Sequence, residues 1–282
     1  MSGEAVQCKQ CGGAIAATPG KELPECLFCG APASDLAVYT KDETIEDPEG
    51  FIPFDVIKPR ADNAFREFAN SSFWYPNDLK DASLELRKLL LPAWAWSGDI
   101  ETHWAALVKA NTQSGKRPVA GSDTGYFDQV LVPSSETLTI SEMARLGRYD
   151  ESTLKPFEPN DSDPYEISDM TRSVARKAAL AEMERRHRAD IQSELSATKL
   201  NAHSTIEQVD GKPVLVPVWI GAYRYGDKVY RFLVNGQTGE FIGDAPKSMW
   251  KMLGVALAII AVILGAILCL SICTGGAAIV GG

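Results

Sequence analysis

Four cysteines in the first thirty residues restrict this 282-residue chain more than any other feature. They stand as two pairs, Cys8-Lys9-Gln10-Cys11 and Cys26-Leu27-Phe28-Cys29, with fourteen residues between them. A CxxC folds as a tight knuckle that places two thiolates on one edge of a tetrahedron, and this spacing matches the ligand set of a zinc ribbon. A residue tolerant of positive φ is wanted just after the second cysteine of each pair, and Gly12 and Gly30 stand there. A redox CxxC would need a βαβ context and a single pair. The N-terminus shows no charged n-region followed by an apolar h-region, so reduced thiols are expected. The expectation is one structural Zn2+ held by Cys8, Cys11, Cys26 and Cys29. With four protein ligands the site is closed rather than catalytic.

The second constraint lies at the other end. Leu253 to Ile272 is a run of twenty residues without a charge, containing five Leu, five Ile and two Val. Those twelve side chains alone favour insertion by about 4 to 7 kcal/mol, and twenty helical residues span about 30 Å, the hydrocarbon thickness of a bilayer. Lys247, Trp250 and Lys251 flank its N-terminal side, while Thr274 to Gly282 carries no charge. Positive-inside reasoning keeps the preceding residues in the cytoplasm, in agreement with reduced cysteines. Gly254, Ala258, Ala261, Gly265 and Cys269 follow one another at spacings of three or four, a stripe that permits close approach of a second helix. Cys269 and Cys273, one turn apart, read as small packing residues.

Between these ends, residues 31–50 read as an acidic linker with nothing to bury. A folded body is expected over 51–246, with amphipathic helices at about 60–70 (Ala61, Phe65, Phe68 and Ala69 on one face) and about 78–91. Leu91-Pro92-Ala93-Trp94-Ala95-Trp96 aligns with Val216-Pro217-Val218-Trp219-Ile220-Gly221. Each opens a β-rich stretch, about 91–133 and about 213–243, punctuated by turns at Ser114-Gly115, Tyr225-Gly226-Asp227 and Asn235-Gly236. Proline inside each Trp strand suggests a strand start or sheet edge. A helical insert is expected over 163–200, capped at Asp163 with Glu166 or restarting at Ser168. Its stripe of Met170, Val174, Ala178, Ala181, Ile191 and Leu195 is interrupted by Glu184-Arg185-Arg186-His187-Arg188, so part of it is expected to project. The fold class is therefore α+β: zinc ribbon (1–30), linker (31–50), a duplicated antiparallel hairpin domain with helical insert (51–246), a transmembrane helix (249–273) and a short tail (274–282).

Charge and motifs narrow the chemistry. The formal net charge is −9, against phosphate-backbone binding by the chain as a whole. Residues 1–30 carry Lys9 and Lys21 against Glu4, Glu22 and Glu25, and a zinc tetrathiolate adds about two more negative charges. Phe28 is the one aromatic there that looks free to stack. Ser114-Gly115-Lys116-Arg117 lacks the upstream glycine and hydroxyl residue of a phosphate loop, and GxSxG and HExxH are absent. Asp123-Thr124-Gly125 has the tripeptide of aspartic proteases, without the preceding apolar strand or a second copy; a turn between Val119 and Phe127 accounts for it equally well. Arg185–Arg188 reads as a solvated helix face, or as a surface for an acidic partner or anionic headgroups.

Taken together, the two CxxC pairs, Trp74-Tyr75-Pro76-Asn77-Asp78-Leu79 and the stretch Pro213 to Gly239 resemble a family of bacterial membrane-anchored TFIIB-type zinc-ribbon proteins. The most distinctive part is Tyr230-Arg231-Phe232-Leu233-Val234-Asn235-Gly236-Gln237-Thr238-Gly239. Members are often labelled primosomal protein N′ (replication factor Y)-like superfamily II helicases, but no residue here supports a helicase. The resemblance implies zinc binding, a membrane location and, for some members, association with phage-shock-protein-A-like (ESCRT-III-related) or SPFH scaffold proteins. The expected function is a non-enzymatic membrane adaptor that brings a cytoplasmic protein to the bilayer, with self-association through Gly254, Ala258, Ala261 and Gly265. A membrane-tethered nucleic-acid-binding ribbon is the alternative.

Overall fold

The computed structural model describes residues 5–16, 23–110, 115–135, 137–158 and 163–275, with side chains to residue 267. Ser114, the side chains of Cys269 and Cys273, and the tail beyond Gly275 lie outside these. In chain order the elements are β1 (Ala5–Cys8), β2 (Ala14–Ala16), β3 (Leu36–Tyr39), β4 (Gly50–Phe51), α1 (Lys58–Asn70), β5 (Leu84–Lys109) and β6 (Lys116–Pro133). There follow α2 (Ile140–Arg145), β7 (Lys155–Pro156), β8 (Tyr165–Glu166), α3 (Arg172–Glu194), β9 (Lys199–Tyr225), β10 (Lys228–Asn235), β11 (Phe241–Gly243) and α4 (Met249–Gly275). The protein is a mixed α+β fold with one large sheet.

The sheet grows from β5 and β9, which pair antiparallel from Leu84 opposite Tyr223 to Leu107 opposite Lys199, with one bulge near Ser97. Strands buried on both faces read as continuous apolar runs rather than alternation. Leu89-Leu90-Leu91 and Val214-Leu215-Val216 are such runs, all buried. This is why residues 84–91 form strand instead of the expected helix; only Leu79–Asp81 keep a helical turn. The remaining order is β11-β10-β9-β5-β8-β2-β1-β3, with β6 on the distal half of β5.

The two Pro-x-Trp segments lie side by side. Leu91 faces Val216, so Pro92 faces Leu215 and Pro217 faces Leu90. Contrary to expectation, both prolines sit in central strands. The carbonyl of Pro92 accepts from Ser134 N–H at 3.0 Å and that of Pro217 from Gly236 N–H at 2.8 Å. In a strand the N–H points to the same side as the C=O, so each missing donor falls just past the last rung of the neighbouring hairpin strand, Ala93 opposite Pro133 and Val218 opposite Asn235. Each proline leaves the return bond of that closing pair unmade, and other donors take the carbonyl it would have served: Asp169 N–H bonds Ser134 O at 2.9 Å and Val56 N–H bonds Gly236 O at 2.8 Å.

One sheet face is covered by α1 and α3. Trp219 is buried under α1 and donates from Nε1 to the Val56 carbonyl at 2.8 Å. Trp94 and Trp96 stack 5.6 Å apart beneath α3. Helix α3 starts at Arg172 after Thr171, not at Asp163, because 164–167 are drawn into the sheet: Leu90 N–H bonds Pro164 O, and Ile167 N–H bonds Ala14 O. Its buried residues are Ala175, Ala179, Glu182, Met183, His187 and Ile191; Ile191 is buried as expected, while Ala175 and Ala179 take the place of Val174 and Ala178, and Val174 is exposed. Small alanines let the helix lie close to the tryptophans along the whole strand, so it does not project. Asp123-Thr124-Gly125 is not a turn; β6 runs through it, opposite Thr102, Glu101 and Ile100.

The other face is covered by α2 and by the N-terminal cysteine-bearing segment. The segment read as a linker is partly structured. β3 pairs with β1 from Leu36 opposite Cys8 to Tyr39 opposite Ala5, and β4 pairs with β9. Glu46 is held by Arg172 at 3.0 Å, and Ile45 is buried, so the acidic residues border packed structure.

Glu166 of β8 lies in this seam, opposite Ile15 of β2 and 2% exposed. Its carboxylate accepts from Ser135 Oγ at 2.6 Å and from Thr137 Oγ1. Burial pushes its carboxyl up to about 7 against those two donors, with Asp169 adding to the rise and Arg231 opposing it. A carboxyl raised in the folded state holds its proton where the unfolded chain has lost it. Stability from this group is therefore present below its ordinary value of 4.5 and falls as pH rises towards and through about 7. Denaturant unfolding of wild type should show stability falling between those values, and Glu166→Gln should flatten that slope. An unchanged slope in the variant would place the pH dependence elsewhere.

Candidate metal centre

Each cysteine pair closes on itself by the same hydrogen bonds. Cys8 N–H donates to Gly13 O at 3.0 Å and Gly12 N–H to Cys8 O at 2.8 Å; Cys26 N–H donates to Ala31 O at 2.7 Å and Gly30 N–H to Cys26 O at 2.9 Å. Closing so tight a loop forces a left-handed residue, and Gly12 (φ +79°) and Gly30 (φ +73°) supply it. The two knuckles face each other. All four Sγ atoms lie within 4.8 Å of one another, with Cys8 to Cys29 and Cys11 to Cys26 each at 3.7 Å.

That geometry suits a tetrahedral ion. Metal–sulfur bonds of about 2.3 Å imply sulfurs about 3.8 Å apart. The donor set is all sulfur, which favours soft or borderline cations. Cys8 and Cys26 are buried, while Cys11 and Cys29 reach the surface. Burial pushes the thiols of Cys11 and Cys26 up. Burial also acts to raise Cys8, yet amides of Cys11 and Gln10 donate to its sulfur and hold it at about 7. Four thiols this close resist joint ionisation, and a single dication removes the conflict. The arrangement can hold a metal ion.

The centre is built into the body. Cys8, Cys26 and Ile15 belong to the same buried cluster as Leu89, Leu91, Val214, Val216 and Val218. Arg87 of β5 donates to Glu25 Oε1 from Nε at 3.0 Å and Nη2 at 2.9 Å, just before Cys26. Phe28, expected to be free for stacking, lies over Gly13 instead; a Cβ there would stand 2.5 Å from its ring. Neither Arg87 nor this stacking carries a sequence signal, since both depend on contacts across the fold.

Elsewhere the structure gathers residues that sequence reasoning kept apart. His103 and His203 face each other on β5 and β9, with Glu101 3.5 Å from His103 Nε2. His187 is buried and its Nε2 lies 3.5 Å from Asp123 Oδ2. The basic cluster is engaged rather than free: Arg185 and Arg186 both bond Glu182 at 2.7 Å, and Arg188 bonds the Leu200 carbonyl at 2.9 Å. At the C-terminal end, Met249–Ile267 of α4 is long and apolar enough to cross a membrane.

No family model matches the chain, and no solved structure matches it. The chain is similar to the uncharacterized protein YdjG of Bacillus subtilis (strain 168), at 23% identity over 223 residues. The match covers 73% of this chain and 65% of that protein, a little under two thirds of its length.

Proposed function

We propose that this protein is a single-pass membrane-anchored zinc-ribbon adaptor, with residues 1–248 in the cytoplasm, which recruits a soluble protein partner to the bilayer. The observation carrying this reading is that the cysteine centre and α4 are both tied to one body. The centre shares the body's core, and Ser248 N–H and Lys251 at the start of α4 bond the loop at 74–77. A body fixed at both ends suits a platform. Zn2+ is the ion proposed, since a four-thiolate tetrahedron is its commonest structural site and needs no redox chemistry. With four protein ligands it staples structure and does not activate water. The non-enzymatic reading rests on this closed site.

The partner is proposed to be a protein. The net charge of −9 disfavours phosphate backbones. By resemblance, phage-shock-protein-A-like or SPFH scaffold proteins are the classes to test. Gly254, Ala258, Ala261 and Gly265 lie open along α4 and are the candidate surface for self-association. We also infer that the two hairpins β5–β6 and β9–β10 are related units. The pairing about Leu91 and Val216 and the matching bonds from Ser134 to Pro92 and from Gly236 to Pro217 support it. So does the crossing of helices: α1 precedes the first hairpin and covers the second, while α3 precedes the second and covers the first.

Elemental analysis of purified protein should find one zinc per chain, and none in a Cys8→Ser/Cys26→Ser variant. Zinc-free wild type, or zinc retained in that variant, would contradict the assignment. For the adaptor role, the strongest partner in a pull-down from solubilised native membranes is followed by fluorescence localisation. Deleting residues 249–282 should release it and this protein together into the cytoplasm, and an unrelated apolar helix in place of 253–272 should return both. A partner that stays on the membrane after the deletion is not anchored by this chain.

A further inference from the structure

Phenylalanine and tryptophan side chains are buried or half-buried throughout the described body, with three exceptions: Phe73, Trp74 and Trp250. All three fall at one junction. Phe73 and Trp74 sit at 64% and 39% exposure in the loop after α1, their rings edge to face at 5.4 Å. Trp250 is 83% exposed in the first turn of α4.

Loop and helix are locked in register. Ser248 N–H donates to Trp74 O at 2.7 Å. Lys251 Nζ donates to Tyr75 O at 2.7 Å and to Asn77 Oδ1 at 2.6 Å, and lies 5.2 Å over the Phe73 ring. The twenty-residue stretch from Leu253 to Ile272 begins two residues further on, or about 3 Å along the helix axis. The loop is therefore held level with the place where an inserted α4 would leave the hydrocarbon. That is the depth where tryptophan rings, apolar with one N–H, are most stable.

We propose that the Phe73–Asn77 loop is a second membrane contact, seated in the headgroup interface beside α4 so that the body is held at a fixed tilt. The proposal rests on the reading of α4 as a membrane helix. A protein partner fits the patch less well. Two aromatic rings bury about 150–250 Å2 each, well short of the roughly 800 Å2 per side of a specific protein interface. The role of Lys251 also follows: its ammonium is spent on the loop, clamping it to the helix, instead of reaching independently for the headgroups.

The test uses the full chain reconstituted in phosphatidylcholine vesicles, with acyl chains brominated either near the carbonyl end or at mid-chain. In Trp250→Phe, shallow bromines should quench an emission component that mid-chain bromines quench less, and the component should vanish in Trp74→Phe/Trp250→Phe. Trp74→Phe alone reports on Trp250 and so on α4. If Trp250 is quenched and Trp74 is not, the loop stands clear of the bilayer and the proposal is overturned while the membrane helix stands. If neither is quenched, the membrane reading falls and the proposal falls with it.

Discussion

The pairing of β5 with β9 is the constraint from which the rest of the structure follows. Two central strands, apolar on both faces through Leu89–Leu91 and Val214–Val218, cannot be left with either face wet. Each such side chain is worth about 1.5–3 kcal/mol when buried. The helices α1 and α3 cover one face; the other needs a lid as broad, and the cysteine-bearing segment with α2 supplies it. A segment of three short strands has little core of its own. It borrows that of the sheet, and the facing knuckles fix the shape it presents.

Much of this was legible in the residues. The spacing of the cysteines and the glycines behind them led directly to two knuckles of the same geometry, because the requirement is local. The hairpin strand at 228–235, its turn and the face of α1 at Ala61, Phe65 and Ala69 were also readable, since period and turn chemistry carry them. Within that turn the left-handed glycine is Gly239, not Gly236, and the buried Asn235 side chain accepts from Gln237 and Thr238 N–H.

What failed depended on distant partners. Leu84–Leu91 has the composition of a helix and becomes strand because β9 lies beside it. Glu166 has the look of a capping residue at a helix start, yet 164–167 are captured between β5 and β2 and the carboxylate is buried. The acidic stretch 31–50 looked unable to pack, but Leu36 needed only β1 as a neighbour and Glu46 only Arg172. The capping box that formed is Thr139–Glu142 at the start of α2, a pair the sequence reading passed over. Arg87 bonding Glu25 shows the same limit: no short window contains both residues.

The central claim is that the cysteine-bearing segment belongs to the body's core instead of hanging from it by a linker. Hydrogen exchange of the full chain before and after chelation measures this most directly. The account predicts that removing the proposed metal lowers protection in β1–β3 and also in the β5 and β9 stretches around Leu89–Ala95 and Val214–Val218, which lie beneath it. Protection lost from β1–β3 alone, with β5 and β9 unchanged, would contradict it.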